Sequence, residues 1–306
     1  MSNTRMLDEE ILQGIKSRDR RALAKLLSLC ENDPSRASVL LDKLEKKRAH
    51  IIGITGSPGV GKSTLTNAIL DESGKRRIGL ILIDPSSPFT RGALLGDRVR
   101  MQSHATSENV FIRSFASRGA LGGLSPSVYE ACDAFEAFGM EEIFVETVGV
   151  GQSEVDISKV ADTVVVVLSP DAGDEVQMMK AGLMEIADFF VINKSDNPRA
   201  GVLSSKLRSV MDMGKKRIPV FLTNALTGEG VKKLVEALRE RFEELEKSEV
   251  LKVKRKKRLL EHLKSSLRMD LDSLVSETEF PADMSLTEMK EFFISKFCSQ
   301  SEKKGW

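Results

Sequence analysis

Only three cysteines and three histidines occur in 306 residues, and neither set clusters. Cys30, Cys132 and Cys298 stand too far apart for a metal-binding or redox spacing, and their odd number does not suit a disulfide framework. They read as reduced thiols of a cytoplasmic protein, buried as small apolar side chains. His50, His104 and His262 are equally scattered, so no His/Cys metal cluster is visible. No apolar run approaches the ~20 residues a membrane-spanning helix needs. The opening MSNTRMLDEE has no apolar stretch of the kind a secretory signal carries. Net charge is lacking too: 46 basic against 45 acidic side chains leave a formal +1. No global field therefore favours nucleic acid or an anionic membrane, and neither is expected as a partner.

What is present is a globular composition, 41% hydrophobic and 30% charged. The length suits one large α/β domain with extensions, or two modest domains. Residues 7–49 read as helices: Leu7, Ile11 and Ile15, then Leu23, Leu26 and Leu27, recur at helical spacing, with a break at Asp33-Pro34. The period then changes. IIGIT (51–55), IGLILI (78–83), VFIRS (110–114), IFVE (143–146), TVVVVL (163–168), FFVIN (189–193) and PVFLT (219–223) are short apolar or β-branched runs. Such continuous hydrophobicity implies strands buried on both faces, hence a mainly parallel sheet covered by helices. Residues 63–71 and 176–186 fit as crossover helices. Beyond a helix at 231–245 the chain is helical and highly charged. Leu259, Leu260, Leu263, Leu267, Leu271 and Leu274 form an amphipathic stripe that Pro281 ends. A last helix is expected from Ser285, with a capping box to Glu288, presenting Met289, Phe292, Phe293 and Phe297. The expected organisation is an N-terminal helical extension (1–49), an α/β domain (50–246) and a C-terminal helical segment (247–306). The apolar surface of that tail must be buried on its own domain or on a second subunit.

Gly56-Ser57-Pro58-Gly59-Val60-Gly61-Lys62-Ser63 matches G-x-x-x-x-G-K-S/T, with a strand before it and a helix after. Glycines here let successive N–H groups turn inward around a β-phosphate, and the helix N-terminus adds positive potential. Lys62 is then expected at the β- and γ-phosphate oxygens and the Ser63 hydroxyl on Mg²⁺, with Thr64 completing the binding set. The partner element is an acidic residue at a strand end followed by a glycine near the γ-phosphate. Glu146-Thr147-Val148-Gly149 fits: Glu146 would hold a water of the Mg²⁺, and the Gly149 N–H would sense the γ-phosphate. Asp84, at the end of IGLILI, is a further metal candidate, though it reads equally as a turn carboxylate before Pro85. Asp97, between Gly96 and Arg98, reads by itself as an exposed loop charge.

Asn193-Lys194-Ser195-Asp196 stands where an N-K-x-D guanine motif should lie, at the end of a later strand. Asp196 can accept both the ring imino and the exocyclic amino hydrogens of guanine, which adenine cannot satisfy. Asn193 can tether the loop, and the Lys194 stem can lie across the purine face. A site built this way rejects an analogue lacking the donors by roughly 10⁴-fold or more. PVFLT leads into Asn224-Ala225-Leu226, expected as the last guanine loop through the Ala225 N–H. Together these motifs select GTP/GDP over ATP. Where Ras-type GTPases place a water-orienting Gln this chain has Val150, so intrinsic hydrolysis is expected to be slow. Gln152 is two residues away, and Arg91 and Arg98 are candidate charge stabilisers or exposed arginines.

GITGSPGVGKSTL (53–65), IDPSSPFTRGALLGDRVRM (83–101), FIRSFASRGALGGLS (111–125) and FVETVGVGQSE (144–154) resemble the signature segments of the MeaB/ArgK-type GTPases, in the SIMIBI division of P-loop proteins. The resemblance covers most of residues 7–245. It implies a GTP-dependent chaperone that gates cobalamin delivery to methylmalonyl-CoA mutase, or a related cobalamin-dependent acyl-CoA mutase, and protects that enzyme. By position it assigns Asp84, Asp97 and Glu146 as metal and switch carboxylates, Lys62 and Glu146 with Asp97 as the catalytic set, and residues 174–180 as a switch contacting the mutase. It also implies a helical C-terminal dimerisation arm, hence a homodimer. The sequence departs from the family pattern at Arg91, Ala181 and Asn224, where Gly, a basic residue and Ser are usual.

Three other readings compete. A nickel or zinc insertion GTPase needs a cluster of soft ligands, which is missing here. An ArgK-like kinase of a transport protein needs a placed base for a protein hydroxyl. The basic run at 252–258 reads as a lipid or nucleic-acid contact, or as a solvated helix face.

Overall fold

The computed structural model describes residues 2–84, 104, 107–116, 124–147, 153–171, 182–214, 217–281 and 283–304. Seven strands form one all-parallel sheet: β1 (His50–Thr55), β2 (Ile78–Asp84), β3 (Val110–Ala116), β4 (Glu142–Glu146), β5 (Thr163–Leu168), β6 (Phe189–Ile192) and β7 (Val220–Leu222). Their order is β3-β2-β4-β1-β5-β6-β7. All seven apolar runs of the sequence are strands, and the α/β P-loop class expected from them is the fold observed. Burial on both faces explains their composition. Val164 and Val166 of β5 pack in one core cluster, while Val165 and Val167 pack in the other.

Helices cover each face. On one side lie α1 (Ser2–Lys16), α2 (Arg20–Asn32), α3 (Pro34–Leu41) and, later in the chain, α5 (Pro126–Phe138) and α8 (Arg199–Met213). Ile11, Ile15, Leu23, Leu26 and Leu27 are buried there as their spacing requires, whereas Leu7 is exposed. The Asp33-Pro34 break is a shared cap: Asp33 closes α2 and its carboxylate accepts from the Arg36 N–H at 3.2 Å, with Pro34 at the first helical position. The other face is covered by α4 (Lys62–Glu72) and α9 (Val231–Lys247). Short turns α6 (Ser153–Asp156) and α7 (Leu183–Ile186) complete this part. Of the helix expected over 176–186, only α7 falls among the described residues.

The chain divides into two compact units, residues 1–259 and 260–306. The long helix α10 (Glu249–Glu277) begins in the first, where its root buries Leu251 and is also held by charge. Arg255 donates to Asp162 from Nε at 3.0 Å and Nη2 at 2.7 Å, to Glu136 from Nη1 at 2.5 Å, and to the Ala49 carbonyl at 2.6 Å. Arg258 reaches Asp133 and Glu136, and Lys254 donates to the Asp162 carbonyl. The basic run is thus of two kinds: Arg255 and Arg258 are held by carboxylates of α5 and of the turn before β5, while Lys252, Lys256 and Lys257 are exposed, as a solvated helix face would have them. Beside this cluster His50 stacks on Phe242 at 4.6 Å and pairs with the Thr163 hydroxyl at 2.8 Å. Cys30 and Cys132 are buried free thiols, as expected, and burial pushes both pKa values up.

In α11 (Leu286–Lys304) the expected capping box is formed: the Ser285 N–H donates to Glu288 at 2.8 Å. Along α10, Leu259, Leu260, Leu263, Leu267 and Leu271 are exposed. The stripe is helical, as read, with Leu274 half-buried. No helix among the described residues is long and apolar enough to cross a membrane.

Candidate nucleotide site

β1 lies between β4 and β5, with β2 and β3 beyond the one and β6 and β7 beyond the other. The carboxyl ends of strands where the order switches are the usual place for a ligand crevice in such folds. The glycine loop leaves β1 here. Gly56 has φ 141°, and a Cβ on it would lie 2.1 Å from the Val167 carbonyl oxygen of β5. Gly61 has φ 93°, and its Cβ would meet Asn193 Nδ2 at 2.4 Å. Both positions thus need glycine for conformation and for space. Gly61 caps α4 with no side-chain hydrogen bond, so the first N–H groups of the helix are offered to an anion. Lys62 is buried and curls over the loop, its Nζ donating to the Gly56 and Ser57 carbonyls at 2.7 and 3.1 Å.

Parallel pairing sets Ile54 of β1 against Glu146 of β4. The Glu146 carboxylate therefore reaches α4: Ser63 Oγ donates to its Oε1 at 2.6 Å and Thr66 Oγ1 to its Oε2 at 2.7 Å. Ser63 and Glu146 make a hard, all-oxygen donor pair beside the phosphate loop, the kind that suits Mg²⁺. Asp84 ends β2, two strands from β1. Asp97, Gly149, Val150, Gln152, Arg91, Arg98, Ala181 and residues 174–180 lie outside the described residues.

Opposite the phosphate loop, Asn193 follows β6. Its Nδ2 donates to the Val60 carbonyl at 3.1 Å, and its Oδ1 accepts from the Ala225 N–H at 3.0 Å and the Thr223 hydroxyl at 3.3 Å. Lys194 turns the loop with a left-handed φ of 58°. Asp171 accepts from Lys194 Nζ at 3.4 Å and Asn197 Nδ2 at 2.6 Å, gripping the loop on both sides of Asp196. Asn224 donates to Asp196 Oδ1 at 3.0 Å and accepts from the Leu226 N–H at 3.1 Å. The Ala225 N–H, read from sequence as a donor to the base, donates to Asn193 here, and Ala225 lines the cavity. Lys62, Ser63 and Glu146 at one end and Lys194, Asp196 and Leu226 at the other line a single cavity of about 520 Å³. Thr66 and Asp171 were not legible as site residues, since each acts on a group far away in the chain.

A parallel sheet of this order, a glycine loop feeding α4 and an N-K-x-D loop tied to it define a P-loop GTPase. The chain belongs to the family described as methylmalonyl Co-A mutase-associated GTPase MeaB, whose family model matches residues 23–279. A protein of Pyrococcus horikoshii named as a GTPase is 49% identical over 268 residues, 84% of each chain. A Caenorhabditis elegans protein named methylmalonic aciduria type A homolog, mitochondrial, is 32% identical over 235 residues, 70% of this chain and 59% of that one. Among solved structures, one described as LAO/AO transport system kinase superposes with a TM-score of 0.69 at 26% identity, covering 88% of this chain and 86% of the other.

Proposed function

We propose that this GTPase is a nucleotide-gated chaperone of a cobalamin-dependent acyl-CoA mutase, with methylmalonyl-CoA mutase the first candidate client. The observation that carries the reading is the family match over residues 23–279, whose description names association with that mutase. In this reading Lys62 leaves the loop carbonyls for the β- and γ-phosphate oxygens, and the α4 N–H groups hold the phosphates. Asp196 accepts from the guanine edge while Asn224 and Asp171 hold its loop in place. Ser63 and Glu146 hold Mg²⁺, with Asp84 and Asp97 completing the metal and switch carboxylates. Bound there, the metal would neutralise charge on the transferring phosphoryl group. Val150 leaves the attacking water without a glutamine to orient it, so intrinsic hydrolysis is slow until a partner completes the site. We assign the exposed leucines of α10 to a homodimer contact and the protein to the cytoplasm.

The test is to mix the purified protein with the host's cobalamin-dependent mutases in GDP and in a non-hydrolysable GTP analogue. Nucleotide-dependent binding with accelerated release of free phosphate supports the reading. Absence of binding in both states, or rapid GTP hydrolysis by the protein alone, would overturn it. Phosphate appearing on a protein rather than in solution would instead support the kinase reading. Metal insertion is not favoured: among the described residues no group of His, Cys, Asp or Glu is arranged to hold a soft metal.

A further inference from the structure

Thr66 has no place in the phosphate-loop pattern, yet its hydroxyl is the second group on Glu146. It sits one helical turn beyond Ser63 on the same face of α4, so the two hydroxyls approach one carboxylate from one helix. The residue is completely buried, and Glu146 is only 6% exposed. Thr66 Oγ1 lies 2.7 Å from Glu146 Oε2 and 3.0 Å from the Lys62 carbonyl. A hydroxyl has one proton, and the shorter contact to an ionised acceptor is the stronger, so it is donated to Glu146. The back-bond to Lys62, four residues earlier, is the ordinary resting place of a helical threonine. Here the side chain serves the neighbouring strand instead.

We infer that Thr66 is a positioning residue for Glu146, fixing the carboxylate so that Oε1 faces Ser63 and the phosphate side while Oε2 is held within the protein. The torsion that swings a glutamate's carboxylate is broad, so packing alone sets the plane of the group only loosely. A hydrogen bond on the oxygen turned away from Ser63 fixes that plane. The inference rests on the reading of Glu146 as a carboxylate serving the nucleotide's Mg²⁺. Loss of an outer partner of a metal-side ligand weakens metal affinity by about 10- to 100-fold.

The test follows release of a fluorescent GDP analogue from the full-length protein as free Mg²⁺ is titrated, and also in its absence. Thr66→Val, which keeps the shape and removes the hydroxyl, is expected to need about tenfold more Mg²⁺ for half-maximal retention. Release without Mg²⁺ should be unchanged, and Thr66→Ser should restore the wild-type titration. Glu146→Gln separates the two layers. If it shifts the titration and Thr66→Val does not, Thr66 has no positioning role. If neither shifts it, the reading of Glu146 fails and takes the inference with it. A Thr66→Val protein that loses nucleotide equally with and without Mg²⁺ would mark Thr66 as a packing residue only and overturn the proposal. Should that variant fail to fold, Thr66→Ser carries the test: a shifted Mg²⁺ titration would sink the claim that the hydroxyl is what matters.

Discussion

Asn193 and Val60 are 133 residues apart in the chain and are joined at 3.1 Å, the amide of one donating to the carbonyl of the other. The same amide's oxygen accepts from Ala225 and Thr223, so one side chain ties the phosphate loop, the base loop and the loop after β7 together. Asn193→Ala therefore removes one donor and one acceptor from three buried partners, each worth about 1–3 kcal/mol when left unpaired. Both ends of the cavity should loosen. GDP affinity is expected to fall by at least about tenfold, with a lower melting temperature. Titration with a fluorescent GDP analogue checks it, and an unchanged affinity would show that the three loops are held by other means.

Asp196 should decide the base. Guanine offers an imino and an amino hydrogen to its carboxylate, whereas xanthine carries a carbonyl oxygen in place of the amino group. Asp196→Asn keeps an oxygen for the Asn224 amide, now at 3.0 Å from Oδ1, and turns an N–H₂ toward the base. GDP binding is expected to fall by about 10³-fold or more and xanthosine diphosphate binding to rise. Competition between the two nucleotides for the labelled site gives the answer. Loss of both without any gain for xanthosine would argue that Asp196 shapes the loop rather than reads the base.

How much of this was legible in sequence depends on how far each residue's partner lies along the chain. TVVVVL announces β5 to the residue, because a strand buried on both faces has little choice but β-branched side chains. The phosphate loop is equally legible, because the left-handed turns at Gly56 and Gly61 call for glycine whatever distant strand or loop packs against them. Thr66 is different. Within α4 it looks like any helical threonine, and only the β1–β4 register brings a carboxylate 80 residues away against it. Arg255 was hidden for the same reason, since a basic run looks solvated until its buried acceptors are known. The Ala225–Asn193 bond was hidden too, because the motifs show which loops converge and not which groups pair between them.

Arg255 carries a stability prediction. Its side chain is 19% exposed, while its partners Asp162 and Glu136 are 2% and 4% exposed. Burial raises the pKa of Asp162, and Arg255 opposes that shift. Arg255→Ala leaves Asp162 without its guanidinium and Glu136 with only the longer contact from Arg258, and should cost about 3–5 kcal/mol. Arg255→Lys keeps the charge but cannot reproduce the fork on Asp162, so an intermediate loss is expected. Denaturant midpoints at unchanged slope measure both. Equal stability of the lysine variant and the wild type would show that charge, not the fork, is what the site needs.

His50 should make stability fall in acid. Burial, then the nearby Arg255, Lys254, Arg241 and Arg76, lower its pKa from 6.5 to about 3, so the folded ring stays neutral through mildly acidic pH. The unfolded chain has no such restraint and takes up a proton as pH drops below about 6.5. Protons therefore favour the unfolded state across that window: the contribution is fully present above about pH 6.5 and is lost as pH falls toward 3. Between about pH 7.5 and 5.5 the loss from this one ring is about 1.4 kcal/mol. His50→Gln keeps a polar partner for Thr163 and removes the titration. Other buried groups, Asp162 among them, titrate alike in both proteins and cancel in the difference. Urea unfolding at both pH values should find the wild type losing about 1.4 kcal/mol more than the variant. Parallel profiles would mean that the ring is protonated in the fold after all, and that its stack on Phe242 is a stack of a cation.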